Sequence, residues 1–240
     1  MTGEATRGES GAGWHHQHRD VSGGKLRPIV FGAVDGLVTN GSLIAGVGGS
    51  GLERTALILT GLAGLVAGAV SMSTGEYISV ANQNELVAAE AAVESDRHRR
   101  FPDIELAELT EVFLGYGVEP AAAAHVAEVI NGDPDVALRF HLREELGVDP
   151  SALPSPLIAA FASLGSCALG GLIPLLPFLL GSRSLALALG IVAVALFLGG
   201  EAVGRVTGRR PFVSGLRQLT LGSAAVAVAY AIGRISGSIV

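Results

Sequence analysis

Five stretches of the sequence are apolar over about 20 residues or more, the length that a helix needs to cross the hydrocarbon core of a bilayer. They fall at residues 29–49, 55–81, 156–180, 185–203 and 212–232. Only 16% of the residues are charged and 49% are hydrophobic, whereas soluble domains carry about 25% charged residues. The sequence therefore predicts an all-α membrane protein with five transmembrane helices.

The distribution of basic residues predicts the orientation of these spans. With the amino terminus in the cytoplasm, twelve Arg and Lys residues fall inside and three fall outside, as the positive-inside rule favours. The first 25 residues are polar, contain WHHQH at 14–18 and lack the apolar segment of a cleavable signal peptide. We expect residues 1–25 to form a disordered cytoplasmic tail, residues 26–82 the first two spans and residues 155–240 the last three.

The segment between the second and third spans, residues 83–154, is large enough to fold outside the membrane. It contains fifteen acids and five arginines, whereas the whole chain has a net charge of only −6. Gly132 ends one helical pattern, and Asp133-Pro134 has the form of an N-cap with proline at the first helical position, opening a helix that runs to Gly147. We predict an inserted cytoplasmic domain of three or four helices, whose first helix continues the second span without a break.

Ionisable side chains inside the apolar stretches are candidates for function, because a charge at the bilayer centre costs a few kcal/mol. Asp35 lies in the first span, and Met72 and Glu76 lie four residues apart on one helix face of the second. A carboxylate beside a thioether favours first-row transition metals such as Fe²⁺ over Mg²⁺ or Ca²⁺. These three residues are therefore predicted to line a metal path, with plain packing as the alternative for Met72.

The acidic segment also has a pattern that indicates metal binding. Three glutamates recur at every third residue, two more are four residues apart, and a further pair follows a histidine. Like charges at such spacings destabilise a helix by a few tenths of a kcal/mol per pair unless a cation relieves them, and carboxylate and imidazole are ligands of divalent metals. A solvated acidic surface is the alternative. The predicted metal ligands are Glu90, Glu94, Glu105, Glu108, Glu111, His141, Glu144 and Glu145.

Two pairs of glycines, Gly32/Gly36 and Gly64/Gly68, have the spacing that lets membrane helices approach closely. Contact with a second subunit and packing within one subunit are both open for them. Proline residues at 174 and 177 are expected to bend the third span. The sequence contains no GxxxxGK[ST] phosphate loop, no nucleophile elbow and no pair of cysteines, so we expect a protein that is not an enzyme and does not hydrolyse ATP.

Four segments are similar to segments of the vacuolar iron transporter (VIT) family: VDGLVTNGSLIAGV (34–47), GLVAGAVSMSTGEYISVANQNE (64–85), REELG (143–147) and AYAIGR (229–234). The resemblance extends from residue 26 to residue 237. It implies a homodimer of five-span subunits that moves Fe²⁺ out of the cytosol in exchange for protons. Mn²⁺, Co²⁺ and Zn²⁺ are further candidate metals, the partners are metal ions, protons and the bilayer, and neither a cofactor nor a nucleic acid is implied.

The resemblance also implies roles for individual residues. Asp35 and Met72 match residues of metal translocation in the membrane, and Glu76 is our own addition to that path. Two departures from the family pattern leave the number of bound metals open: Arg97 stands in place of a glutamate, and His141-Leu142 stands where some members have two methionines. The residues that match cytoplasmic metal-binding glutamates are Glu94, Glu105, Glu108 and Glu145.

Two other functions are compatible with the residues. One is a membrane-anchored iron buffer or sensor that binds metal through the acidic segment without transport, and the other is a scaffold protein with an incidental acidic loop. Fifteen arginines against one lysine, with abundant alanine and glycine, indicate a GC-rich bacterial genome. We therefore expect a bacterial inner membrane as the location, or the vacuolar membrane in a eukaryote.

Overall fold

The computed structural model describes residues 26–149 and 152–239, apart from the side chain of Leu146. The tail at residues 1–25, with its WHHQH segment, lies outside this range. Within the described residues the regular structure is helical and contains no strand, which confirms the all-α prediction. The helices are α1 (Leu26–Gly49), α2 (Arg54–Arg100), α3 (Pro102–Gly115), α4 (Pro120–Asn131), α5 (Pro134–Leu146), α6 (Pro156–Leu172), α7 (Leu176–Leu179), α8 (Leu185–Val206) and α9 (Pro211–Gly237).

Among the described residues, five helical stretches are candidate membrane spans, in agreement with the hydropathy pattern. Helices α1, α2, α8 and α9, and the combined stretch Pro156–Leu179, are long and apolar enough to cross a bilayer. The third span is not one continuous α-helix, because a 3₁₀ turn at Ile173–Leu175 separates α6 from α7. Pro174 lies inside this turn and Pro177 at the start of α7, where a missing N–H interrupts the α-helical hydrogen bonds.

Helix α1 lies at the centre of the bundle, packed against α2, α6, α8 and α9. Its contact with α6 is a close approach of two backbones: a Cβ at Gly36 would overlap the backbone of Cys167, and a Cβ at Gly170 would overlap the backbone of Ala33. The pair Gly32/Gly36 therefore packs within one subunit. Helix α1, which carries Asp35, and the third span have the largest buried share of the five, 39% each.

Helix α2 extends well beyond the membrane. Its 47 residues correspond to about 70 Å of helix at 1.5 Å per residue, more than twice the roughly 30 Å of a hydrocarbon core. Its apolar part, residues 55–81, is long enough to cross a bilayer, and the polar part continues without a break to Arg100. The predicted continuity of the second span with the first helix of the acidic segment is confirmed.

Helices α3, α4 and α5, here called the loop helices, follow the end of α2. Helix α4 ends before Gly132, and α5 begins and ends at the signals seen in the sequence. Asp133 caps α5, its Oδ1 accepting from the N–H groups of Asp135 and Val136 at 3.0 and 3.2 Å. Gly147 ends the helix in the left-handed conformation with φ of 64°, which glycine adopts without strain. The loop helices pack on one another, and α3 and α5 pack on α2.

Candidate metal centre

Four side chains from three helices converge at the far end of α2. Glu94 and His98 are one turn apart on α2, Glu105 lies on α3 and His141 lies on α5; one ligand atom of each lies within 4.8 Å of the others. The chain reverses at Phe101, next to Pro102 at the start of α3, so that Glu105 folds back towards Glu94. We call these four residues the Glu–His cluster.

The spacing within the Glu–His cluster leaves room between the ligand atoms. Oε1 of Glu94 lies 3.5 Å from Nδ1 of His141 and 3.7 Å from Nδ1 of His98. Oε2 of Glu105 lies 3.7 Å from Nδ1 of His98 and 4.0 Å from Nδ1 of His141. These distances are at or beyond the limit of a hydrogen bond, so the four groups surround a point without satisfying one another.

The Glu–His cluster is withdrawn from solvent. The exposed fraction is 0% for Glu105, 3% for His141 and 5% for Glu94. Buried atoms of all four residues lack a hydrogen-bond partner, among them Oε1 of Glu94, Oε2 of Glu105 and both ring nitrogens of His98. Buried polar groups are normally paired, since leaving them unpaired costs free energy. A bound cation would satisfy the carboxylate oxygens and the imidazole nitrogens together.

Arg97 lies on the other side of the two buried carboxylates. Its Nε is 3.0 Å from Oε1 of Glu105, and its guanidinium donates to both oxygens of Glu108 at 3.0 and 3.1 Å. Oε2 of Glu94 is 4.0 Å away. Each buried carboxylate thus has one oxygen towards the histidines and the other towards the arginine.

Burial and neighbouring carboxylates change the pKa of Glu94. This residue lies about 20 Å along the helix beyond the apolar part of α2. Burial, and then the neighbouring carboxylates of Glu105 and Glu145, raise the pKa of Glu94 to about 7, although Arg97 opposes the change. Without a cation this carboxyl therefore holds its proton at mildly acidic pH. A metal ion would favour the ionised form, by the same electrostatics with opposite sign.

Three of the eight predicted loop ligands belong to the Glu–His cluster, namely Glu94, Glu105 and His141. Glu145 lies at its edge, with Oε1 3.5 Å from Nδ1 of His141. Glu108 is held by Arg97. The other predicted ligands lie elsewhere: Glu144 accepts a hydrogen bond from Tyr116 at 2.7 Å, and Glu90 and Glu111 are exposed.

Sequence reasoning missed His98 as a member of the cluster. It lies in the basic run RHRR, which reads as a solvated end of a helix. The signal was its spacing: four residues after Glu94, a histidine shares the helix face of that glutamate. Only the fold shows that this face is covered by α3 and α5.

In the membrane, Asp35 lines a narrow cavity between α1, α2 and α6. The cavity has a volume of about 10 Å³ and also contacts Thr39, Asn40, Gly68 and Cys167. Its size is close to the space that one water molecule requires. The other two predicted path residues, Met72 and Glu76, follow Gly68 at successive intervals of four residues along α2, so they continue the same face beyond the cavity without lining it.

Asn40 is a polar side chain of this cavity that the sequence analysis did not single out. It is 2% exposed, and its Nδ2 donates to the carbonyl of Gly171 at 2.5 Å. Its Oδ1 is buried without a partner, and Gly64 leaves space for it, because a Cβ there would stand 3.0 Å from that oxygen. The cavity therefore combines an ionisable oxygen from Asp35 with an amide oxygen from Asn40.

These features define a multi-pass helical membrane protein. It has five helices long and apolar enough to span a bilayer, a polar cavity among three of them and a Glu–His cluster at the far end of α2. The VIT family model matches residues 26–234. The chain belongs to the VIT family. This membership confirms the sequence prediction of a membrane protein that is not an enzyme.

Curated relatives agree with this assignment. Vacuolar iron transporter 1 of Arabidopsis thaliana is 32% identical over 167 residues, which cover 69% of this chain and 67% of that protein. Vacuolar iron transporter 1 of Oryza sativa is 32% identical over 168 residues, with the same coverage. The vacuolar iron transporter of Acanthamoeba castellanii is 35% identical over 162 residues, covering 67% of this chain and 58% of that protein. The chain spans about two thirds or less of the length of these relatives.

Proposed function

We propose that this protein moves Fe²⁺ out of the cytosol in exchange for protons, and that the Glu–His cluster collects the metal. The observation that carries the proposal is the continuity of α2, which holds Met72 and Glu76 in its membrane part and Glu94 and His98 at its far end. Membership of the VIT family and relatives named vacuolar iron transporter support iron as the cargo. With the amino terminus in the cytoplasm, the loop helices lie in the cytoplasm as well.

The donor atoms of the Glu–His cluster suit the proposed cargo. Two imidazole nitrogens and two carboxylate oxygens form a mixed set that favours first-row transition metals over Mg²⁺ and Ca²⁺. The partly exposed carboxylate of Glu145, 3.5 Å from His141, offers an approaching ion a first contact. Mn²⁺, Co²⁺ and Zn²⁺ fit the same donors, so we expect them to compete with Fe²⁺.

The proposed path through the membrane follows one face of α2 towards α1. From Glu94 to Glu76 is about 27 Å along the helix axis, and Met72 is about 6 Å further. Beyond Met72, the face reaches Gly68 and the cavity of Asp35. A carboxylate at this depth is costly when ionised alone, whereas a proton or a divalent cation neutralises it. We propose that a proton and a metal ion neutralise Asp35 in turn, and that this alternation couples the movement of Fe²⁺ to that of protons.

We further propose that two subunits associate through α2. Within one subunit only 17% of the most apolar part of α2 is buried. Gly64 faces Leu43 of α1, but Gly68 and Gly75 have no atom within 4 Å of an added Cβ. Small residues with open space above them allow a second helix to approach closely. The path would then run near the axis of a homodimer, in a bacterial inner membrane.

The test is Fe²⁺ uptake into proteoliposomes of the purified chain, with and without an imposed pH gradient. We expect uptake that the gradient stimulates, and its loss in Asp35→Asn, which keeps the size of the side chain but cannot ionise. Glu201→Gln is the control, because Glu201 is a carboxylate of α8 that pairs with Arg205 at 2.8 Å, away from the Asp35 cavity. Size-exclusion chromatography verifies that both variants keep the assembly of the unchanged chain. Undiminished uptake by Asp35→Asn would refute the assigned path.

The burial of the Glu–His cluster favours a second candidate, a membrane-anchored iron buffer or sensor, because a closed site suits retention of a metal. The same experiment separates the two functions. A buffer binds Fe²⁺ through the cluster but shows no uptake with or without the gradient. A transporter with Glu105→Ala and Glu108→Ala retains a weakened uptake, since the membrane path is unchanged.

A further inference from the structure

The two buried carboxylates of the Glu–His cluster are each shared between two basic environments. Glu105 presents Oε1 to Nε of Arg97 at 3.0 Å and Oε2 to the two histidine rings at 3.7 and 4.0 Å. Glu94 presents Oε2 to Arg97 at 4.0 Å and Oε1 to the same rings at 3.7 and 3.5 Å. Each carboxylate therefore lies between two places at which positive charge is favourable, one on the side of Arg97 and one on the side of the histidines.

The first place is taken by the side chain of Arg97. Nε of the guanidinium lies 3.0 Å from Oε1 of Glu105, and Nη2 donates to both oxygens of Glu108 at 3.0 and 3.1 Å. A guanidinium stays protonated at any pH that the fold tolerates. Its donors are fixed in one plane, so Nε and Nη2 hold the carboxylates of Glu105 and Glu108 at the same time. A divalent ion at this place would have to displace a tethered cation and would be repelled by it.

The second place lies between the histidines, on the side of the carboxylates that faces away from Arg97. Its donors are Nδ1 of His98, Nδ1 of His141, Oε1 of Glu94 and Oε2 of Glu105. The two carboxylate oxygens and Nδ1 of His98 are buried without hydrogen-bond partners. The rings stand nearly perpendicular, at 84° with centroids 4.9 Å apart, so their nitrogens approach the point from different directions.

We propose that Arg97 is a built-in cation that permanently fills one of two adjoining cation places, so that the Glu–His cluster binds a single divalent metal ion, at the histidine side. The proposal rests on the metal site of the proposed function and adds its stoichiometry. It also removes Glu108 from the ligands, because both of its oxygens are used by Arg97. Substitution of Arg97 by a neutral residue then opens a second, oxygen-only site formed by Glu94, Glu105 and Glu108.

The experiment counts Co²⁺ ions bound per chain by equilibrium dialysis of the purified full chain in detergent. Every sample carries Asp35→Asn and alanine in place of His15, His16 and His18, so that neither the membrane path nor the tail adds to the count; this background is the unchanged chain of the comparison. We expect one ion for the unchanged chain and two for Arg97→Gln. Arg97→Lys keeps the charge and is expected to bind one. Arg99→Gln is the matched control, because Arg99 is an exposed neighbour whose guanidinium pairs with Asp96, outside the cluster, at 3.1 Å. It is also expected to bind one.

The outcomes separate this inference from the function on which it rests. One ion for both the unchanged chain and Arg97→Gln would refute the role of Arg97 and leave the metal site intact. Two ions for the unchanged chain would refute it as well. No bound Co²⁺ in the unchanged chain would refute the metal site itself, and the role of Arg97 with it.

A second variant covers the case in which Arg97→Gln does not fold. Glu108→Gln changes only a partner of Arg97, on the side away from the histidines. We expect this variant to bind one Co²⁺ with the visible absorption spectrum of the unchanged chain, since the ligands of the metal are the same. A changed spectrum or a loss of binding would place Glu108 among the ligands and overturn the proposal.

Discussion

The membrane helices and the loop helices pack through different kinds of contact. In the membrane, α1 and α6 approach so closely that a methyl group at Gly36 or Gly170 would overlap the facing backbone, and polar groups are few. At the end of α2, four carboxylates gather around one arginine and two histidines, and the packing is electrostatic. The packing of the membrane helices depends on small residues at their contacts, whereas the packing of the loop helices depends on pairs of opposite charges. Steric changes should therefore damage the first region most, and charge changes the second.

The largest expected effect is steric. In Gly170→Ala the new methyl group meets the backbone carbonyl of Ala33, which cannot move aside as a side chain can. Overpacking of this kind costs about 1–3 kcal/mol and more where backbone must shift. We expect a lower unfolding temperature in detergent, measured by the loss of monodisperse protein on heating.

Gly165→Ala is the control on the same helix, because no atom lies within 4 Å of its added Cβ. Alanine is the better helix former by about 1 kcal/mol, so this change should be neutral or slightly stabilising. Equal losses for Gly165→Ala and Gly170→Ala would show that close approach of α1 and α6 does not hold the bundle together.

The sequence predicted the membrane helices better than the Glu–His cluster. The membrane helices are determined by residues close together in the sequence, whereas the cluster is determined by contacts between distant ones. Hydropathy over 20 residues identifies each span by itself, and the signals at Asp133, Pro134 and Gly147 mark the ends of α5 locally. The Glu–His cluster depends instead on how three helices meet. The every-third-residue spacing grouped Glu105 with Glu111, although six residues turn a helix by about 600° and so point the two side chains about 120° apart. Packing on α2 and α5 buries Glu105 and leaves Glu111 exposed.

The second effect tests that distinction between Glu105 and Glu111. Loss of groups that merely support a metal site lowers affinity about 10- to 100-fold, so removal of a ligand should cost at least as much. We expect Glu105→Gln to weaken Co²⁺ binding by about that factor, measured by dialysis. Glu111→Gln, on the same helix and outside the cluster, should leave affinity unchanged. If both variants bind alike, the acidic helix face binds metal diffusely, and the Glu–His cluster is not the site.

The smallest effect links a helix cap to the metal site. Oδ1 of Asp133 accepts two N–H groups at the start of α5, the helix that brings His141 to the cluster. Replacement of an N-cap by alanine costs about 1 kcal/mol. In Asp133→Ala we expect faster amide hydrogen exchange over the first turn of α5 and a weaker hold on Co²⁺, by several-fold at most.

Asp133→Asn supplies the comparison for this cap, since its amide oxygen accepts the same two hydrogen bonds while the charge is lost. If the cap acts by positioning α5, Asn restores both the exchange rates and the affinity. If Asp133→Asn instead weakens Co²⁺ binding as much as Asp133→Ala, the carboxylate acts through its charge at long range. The loop helices would then attract metal as an acidic surface, and the position of His141 would matter less than the contacts around it indicate.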